Sequence, residues 1–210
     1  MRPVAVVRRA GYVIEDELHR DRRRQRRLRR QRRLRRQQAT RQGTGGVSTF
    51  AIQFAAAAGA RVISTSSSDD KLSSARKLGA SETINYRIHP EWQQEALRLT
   101  DGRGVDHVVE VGGGTIDRSV GSVAVGGQVH MIGALSNGTL SPRLLVPWKT
   151  LRGVMVGSTA DHEAMNRMVA YHKIRPVVGK VFPFDEAVEA YRYLESASHV
   201  GKVVITHNHG

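Results

Sequence analysis

The segment of this 210-residue chain best equipped for chemistry is Gly43-Thr44-Gly45-Gly46-Val47-Ser48. Glycines spaced this way let a backbone turn tightly and approach a pyrophosphate. The negative charge then rests on the N-terminus of the helix that follows. The pattern is that of a dinucleotide-binding turn, with Ser48 where a third glycine is usual. Val47, Phe50, Ala51, Phe54, Ala55 and Ala58 recur at helical spacing directly after it, and Gly59 stops that helix. The other flank is less suited. Residues 36–42 read RQQATRQ, too polar for the buried central strand that such a turn needs in front of it.

Other reactive side chains point to less. With no cysteine among the 210 residues, disulfides, thiolate metal sites and thiol nucleophiles are excluded. Of the nine histidines, His107 and His130 fall inside strand-like runs, where neighbours can satisfy them. His207-Asn208-His209 reads as a frayed tail and not as a metal site.

The elements that must position the glycine turn follow in strict alternation. RVISTS (61–66) reads as a strand, and Ser67-x-x-Asp70 as a capping box opening a helix with Leu72, Ala75 and Leu78. ETINY (82–86) is a strand, and Pro90 suits the first turn of a helix bearing Trp92, Ala96 and Leu99. VDHVVEV (105–111) is a strand; Ile116, Val120 and Val123 mark a helix; QVHMIG (128–133) and LRGVMVG (151–157) are strands. A helix over 160–172, a strand near 177–182, a helix over 185–196 and the strand KVVIT (202–206) complete the series. Strands separated by single helices predict an α/β fold, a doubly wound parallel sheet of Rossmann type covered on both faces.

Taken in order, GTGGVSTFAIQFAAAAGARVISTSSSDDKLSSARKLGASETINYR (43–87), DGRGVDHVVEVGG (101–113), GGQVHMIG (126–133), EAMNRMVAYHKIRPVVGKVFPFDEAVEAYRYLES (163–196) and GKVVI (201–205) resemble one family. It is the C-terminal cofactor-binding domain of the medium-chain dehydrogenase/reductase superfamily, in its zinc-type alcohol dehydrogenase and quinone oxidoreductase-like branch. The resemblance covers 43–206 almost without a break; residues 1–42 share none of it. It implies a Rossmann domain over 43–173 and a return segment over 174–206 that packs on a preceding catalytic domain. It also assigns sites. Gly43, Gly45, Gly46, Val47 and Ser48 would hold the pyrophosphate of NAD or NADP. Ser66 stands where NAD-preferring members carry an acid for the ribose diol. Ser67 and Lys71 can donate to a 2′-phosphate, and Tyr86 matches the adenine end. Together these imply NADP in preference to NAD. Val111, Gly112, Gly113, Ile132 and Gly133 would line the nicotinamide side. Lys71 reads equally as a solvated surface charge, Tyr86 as a packing ring, and Val111 and Ile132 as core in any such sheet.

The family's catalytic domain supplies substrate pocket, proton relay and, in zinc-dependent members, the metal ligands. The segment before residue 43 resembles no such domain, so no catalytic residue and no zinc ligand is assigned, and the chain as written is expected to be truncated and inactive. In the parent enzyme the reaction would be hydride transfer to or from a carbonyl, alcohol or activated alkene.

Charge divides the chain at the same place. The net charge of +14 is mostly that of residues 1–42, which hold 16 Arg against four acids; residues 43–210 hold 17 basic and 15 acidic residues. The run RRRQRRLRRQRRLRR (22–36), with its repeated QRRLRR, is a block of like charge that repels itself and buries little. Such a run binds phosphate backbones without sequence preference. A non-enzymatic nucleotide- or RNA-binding protein using this segment is therefore the alternative function. A second origin for 1–42 is translation of GC-rich DNA in the wrong frame, favoured because the join splits a required strand-and-turn motif. A Rossmann methyltransferase suits the downstream motifs less well. No apolar run is long enough to cross a bilayer and no secretory signal pattern is evident, so a cytoplasmic protein without membrane contact is expected. The apolar strand 151–157, as the last of its sheet, predicts a homodimer through that edge.

Overall fold

The computed structural model describes residues 38–42, 44–146 and 148–207. Gly43, the arginine-rich run 22–36 and Asn208-His209, which carry readings above, lie outside the described residues. Among the described residues there are two parallel sheets. The larger has six strands in the order β3-β2-β1-β4-β5-β6. These are β1 (Gln38–Gln42), β2 (Arg61–Ser66), β3 (Glu82–Asn85), β4 (Val105–Glu110), β5 (Val123–Met131) and β6 (Thr150–Gly153). The smaller pairs β7 (Val178–Pro183) with β8 (Lys202–Thr206).

The strand order makes β1 and β4 neighbours from which the chain winds outward in opposite directions. In an open parallel sheet that switch point opens a crevice beyond the C-terminal strand ends. The polar composition of 36–42 argues against a strand there, and the structure corrects this. β1 forms over Gln38–Gln42 at the centre of the sheet, aligned with β2 from Gln38↔Arg61 to Gln42↔Thr65 and with β4 at Ala39↔His107, Thr40↔Val108 and Arg41↔Val109. An empty slot would leave the facing backbone groups of both β2 and β4 without partners, and buried backbone groups are nearly always paired. The folded unit thus starts at least five residues before the boundary expected at Gly43.

Helices cover both faces. α1 (Gly46–Ala57) and α2 (Asp69–Lys77) bury Ile52, Ala55 and Ala75 against Val62 and Ala80. On the other face α3 (Trp92–Arg98) and α4 (Ile116–Ser122) pack on Ile63, Ile84, Val105, Val108 and Val129, with Trp92 only 2% exposed. α2 is capped by Ser68, not Ser67, its hydroxyl accepting from the Lys71 N–H at 3.4 Å. Asp69 and Asp70 in the first turn and Arg76 and Lys77 in the last complement the helix dipole. Val123, expected in a helix, instead begins β5 and buries its side chain in the sheet core. The expected strand 151–157 shortens to Thr150–Gly153, after which only Val154 is buried. α5 (Thr159–Tyr171) opens with a reciprocal cap between Ser158 and Asp161, and α6 (Ala187–Glu195) leads into β8. None of the described helices is long and apolar enough to cross a membrane.

The two expected strand histidines form one pair. His107 Nδ1 lies 3.2 Å from His130 Nε2 in the sheet interior, with 4% and 1% exposure. Desolvation lowers the His130 pKa to about 4, assisted by His107 and Arg152.

Candidate dinucleotide site

The glycine turn sits at the C-terminal end of β1, and α1 starts at Gly46 with Gly45 as its N-cap. No side chain caps this helix and its first turn carries no acid. Its leading N–H groups are therefore not met by a side-chain cap, an arrangement that suits an anion. Val47 is 41% exposed, whereas Ser48 is 3% exposed and Thr49 donates its hydroxyl to Gly46 O at 3.2 Å. Ser48, which stands where a third glycine is usual, is thus buried in the first turn of α1.

The return segment closes over this turn. Gly45 and Gly201 form a parallel bridge, and the Gly201 N–H donates to Thr44 O at 2.9 Å. Gly201 has φ +78, and a Cβ there would stand 2.2 Å from Val177 O, so only glycine fits without a backbone shift. The next residue, Lys202, lays its side chain across the turn: a Cβ on Gly46 would lie 2.6 Å from Lys202 Nζ. An ammonium and a helix N-terminus without a side-chain cap therefore converge on one spot. Lys202 was visible in the sequence as part of GKVVI but had no assigned role, because its partner lies 156 residues away in the chain.

The remaining predicted residues fall in two groups. At the ends of β2 and β3, Ser66 faces Asn85 in register and its carbonyl accepts from the Tyr86 N–H at 3.0 Å. The Ser66 side chain is buried at 2% exposure, while Tyr86 is 39% exposed and Ser67 is half-buried. The Lys71 ammonium turns elsewhere, donating to Ala197 O at 2.7 Å in the loop before β8. At the ends of β4 and β5, Val111, Gly112, Gly113, Ile132 and Gly133 are interlocked. Ile132 N–H donates to Glu110 O at 2.8 Å, Ser136 N–H to Gly112 O at 3.0 Å, and a Cβ on Gly133 would lie 2.4 Å from Val111 O. Because β1 and β4 are paired, this second loop group begins beside the glycine turn.

Among the described residues, no group of three or more His, Asp or Glu is placed to hold a metal ion. Those residues do not fit a zinc centre. They do fit an anionic dinucleotide: a cradle that a Cβ would fill, an uncapped helix start, and a lysine above it.

A parallel sheet in the order 3-2-1-4-5-6, with a glycine turn at its switch point, defines a Rossmann-type dinucleotide-binding domain. Residues 46–171 match the family model described as zinc-binding dehydrogenase, and the chain belongs to that family, within the medium-chain dehydrogenase/reductase superfamily. It is 48% identical over 171 residues to a zinc-type alcohol dehydrogenase-like protein of Schizosaccharomyces pombe, a match covering 78% of this chain and 49% of the relative. A crystal structure of an NAD-dependent alcohol dehydrogenase superposes with a TM-score of 0.75 at 37% identity, covering 81% of this chain and 51% of that one. The 2-octenoyl-CoA carboxylase reductase CinF, solved with NADP and 2-octenoyl-CoA, gives a TM-score of 0.72 at 27% identity, covering 80% and 43%. The chain spans about half the length of the curated relatives it matches.

Proposed function

We propose that this chain binds a nicotinamide dinucleotide as the cofactor-holding part of an oxidoreductase acting on a carbonyl, alcohol or activated alkene. The observation that carries this reading is the convergence of the Lys202 ammonium and the uncapped α1 N-terminus over Gly46. Gly45, Gly46 and Val47 would hold the pyrophosphate through backbone N–H groups, with Lys202 neutralising its charge. Ser66, Ser67 and Tyr86 would border the adenosine end. Val111 to Gly113 and Ile132-Gly133 would flank the nicotinamide. When bound, that ring supplies the hydride donor or acceptor; the protein's part is to orient it and keep water from one face. Substrate-binding and proton-relay groups belong, in this reading, to the half of the relatives' length that this chain does not match.

NADP is the preferred cofactor in this proposal. Ser66 offers no carboxylate to accept both ribose hydroxyls or repel a 2′-phosphate, and Ser67 and the exposed Arg87 can donate to one. Lys71 joins them only by releasing Ala197 O, an exposed bond that costs little to break. Titrating the purified chain with NADPH and NADH, followed by nicotinamide fluorescence, tests both levels. Binding of both with NADPH tighter is expected. Tighter NADH binding refutes the preference, and absence of any binding refutes the cofactor reading.

A further inference from the structure

The geometry points to Glu110 as a positioning residue for the nicotinamide end of the site, an assignment that rests on the cofactor reading above. Glu110 is the last residue of β4 and is completely buried. A carboxylate in such a place is tolerated only when its oxygens are well supplied with donors. Glu110 Oε1 accepts the N–H groups of Gly112 and Gly113 at 3.0 and 2.8 Å, and Oε2 accepts the Ser119 hydroxyl of α4 at 2.5 Å. Charge-assisted bonds of this kind are about twice as strong as neutral ones.

Two of the three donors belong to the β4–α4 connection and the third to α4 itself, so the carboxylate staples that turn to the helix it leads into. The rest of the turn is held from the far side. The Gly112 carbonyl accepts from both the N–H and the hydroxyl of Ser136, and Gly113 has φ +86 with Ser136 O only 2.9 Å from where a Cβ would stand. The amides of Gly112 and Gly113 therefore point inward to Glu110, and their orientation fixes which backbone surface faces the crevice. That surface is the loop assigned to the nicotinamide, across the switch point from the glycine turn. The pyrophosphate and adenosine positions lie at the ends of β1, β2 and β3, none of which Glu110 touches through its side chain among these contacts.

This separation makes the assignment testable with two ligands. NADP+ carries the nicotinamide; 2′-phospho-ADP-ribose has the same adenosine and pyrophosphate but lacks that ring. Both are titrated calorimetrically into the full chain and its variants. Glu110→Ala is expected to weaken NADP+ by about fivefold or more, equivalent to roughly 1 kcal/mol, while leaving 2′-phospho-ADP-ribose within twofold. Glu110→Gln retains an oxygen for the two glycine amides and lets Ser119 reverse its hydroxyl, so it should restore most of the affinity. Ser119→Ala removes one of the three bonds at small risk to the fold, and a smaller loss confined to NADP+ is expected even where Glu110→Ala fails to fold. Equal weakening of both ligands, or of neither, in the variants that fold overturns the assignment. If the unaltered chain binds 2′-phospho-ADP-ribose but gains nothing from the nicotinamide, the assignment fails while the cofactor reading stands. If it binds neither, the cofactor reading itself falls, and the assignment with it.

Discussion

The buried histidine pair ties the stability of the sheet to pH in a way that a single substitution can isolate. His130 is 1% exposed, its Nε2 faces His107, and its Nδ1 has no hydrogen-bond partner among the described residues. Desolvation is the main reason its pKa falls from 6.5 to about 4, with His107 and Arg152 adding to the cost of a second positive charge. Because the folded-state pKa lies below the unfolded one, the unfolded chain binds the extra proton. The stability held by neutral His130 is complete above about pH 6.5 and is lost as the pH falls towards 4. A gap of about two and a half pH units corresponds to roughly 3 kcal/mol, with a steepest slope near 1.4 kcal/mol per pH unit. That is a large share of a typical domain stability of roughly 5–15 kcal/mol.

The measurement is urea unfolding of the unaltered chain and of His130→Leu at intervals from pH 7.5 to 4. Leucine fills similar space and brings no unpaired nitrogen, though it deprives His107 of one contact, so near pH 7 the two proteins should differ by about 1 kcal/mol or less. Carboxylates titrate in both proteins and cancel in the difference. Whichever is more stable near pH 7, the unaltered chain should be clearly the less stable by pH 4, having lost roughly 3 kcal/mol more than the variant. Parallel curves across that window would refute the argument, because they would mean that His130 takes up its proton as easily folded as unfolded.

Three further outcomes follow from the site and the sheet edge. Lys202→Ala should weaken dinucleotide binding about tenfold and flatten its salt dependence with little change in melting temperature, measured by titration at two ionic strengths; unchanged affinity would detach Lys202 from the pyrophosphate. Ser66→Asp should reverse the NADP preference in paired NADPH and NADH titrations, and a variant still tighter for NADPH would count against the ribose assignment. Among the described residues β6 pairs only with β5, and Met155 and Val156 beyond it are 84% and 74% exposed. The chain should therefore run as a homodimer joined at this edge, and a monomer by light scattering at micromolar concentration would dismiss that interface.

The parts of this fold legible in the sequence were those whose signal is local. β2, β4 and β8 announce themselves as short β-branched runs, and α1 as an apolar periodicity ended by Gly59, because a residue's neighbours in the chain are also its neighbours in the element. The parts that were not legible depend on contacts far along the chain. Ser67 and Ser68 are both reasonable caps, and only the path of the chain leaving β2 decides that Ser68 turns its hydroxyl to the Lys71 amide. Val123 continues the helical spacing of Ile116 and Val120, yet the pairing of β5 with β4 at Val105↔Val123 draws it into the sheet. Lys71 reads equally as a phosphate ligand or a surface charge, and its bond to Ala197 O, 126 residues away, is a contact that no local pattern announces.

β1 shows the same logic at its limit. Apart from Thr40, nothing in Gln38-Ala39-Thr40-Arg41-Gln42 favours a central parallel strand by side-chain type. Its place is fixed from outside, by two flanking strands that share one parallel direction and by the glycine turn that must emerge between them. Backbone pairing is indifferent to side chains, so it can impose a strand where propensity opposes one. Packing is not indifferent, and by residue type Gln, Ala, Thr and Arg carry less apolar surface than Val or Ile, whose burial is worth roughly 1.5–3 kcal/mol for each large side chain. The glycine turn takes its position from that strand. Cofactor affinity and sheet stability should therefore rise together when apolar residues replace Ala39 and Thr40, whereas a change confined to the phosphate contacts, such as Lys202→Ala, should move affinity alone.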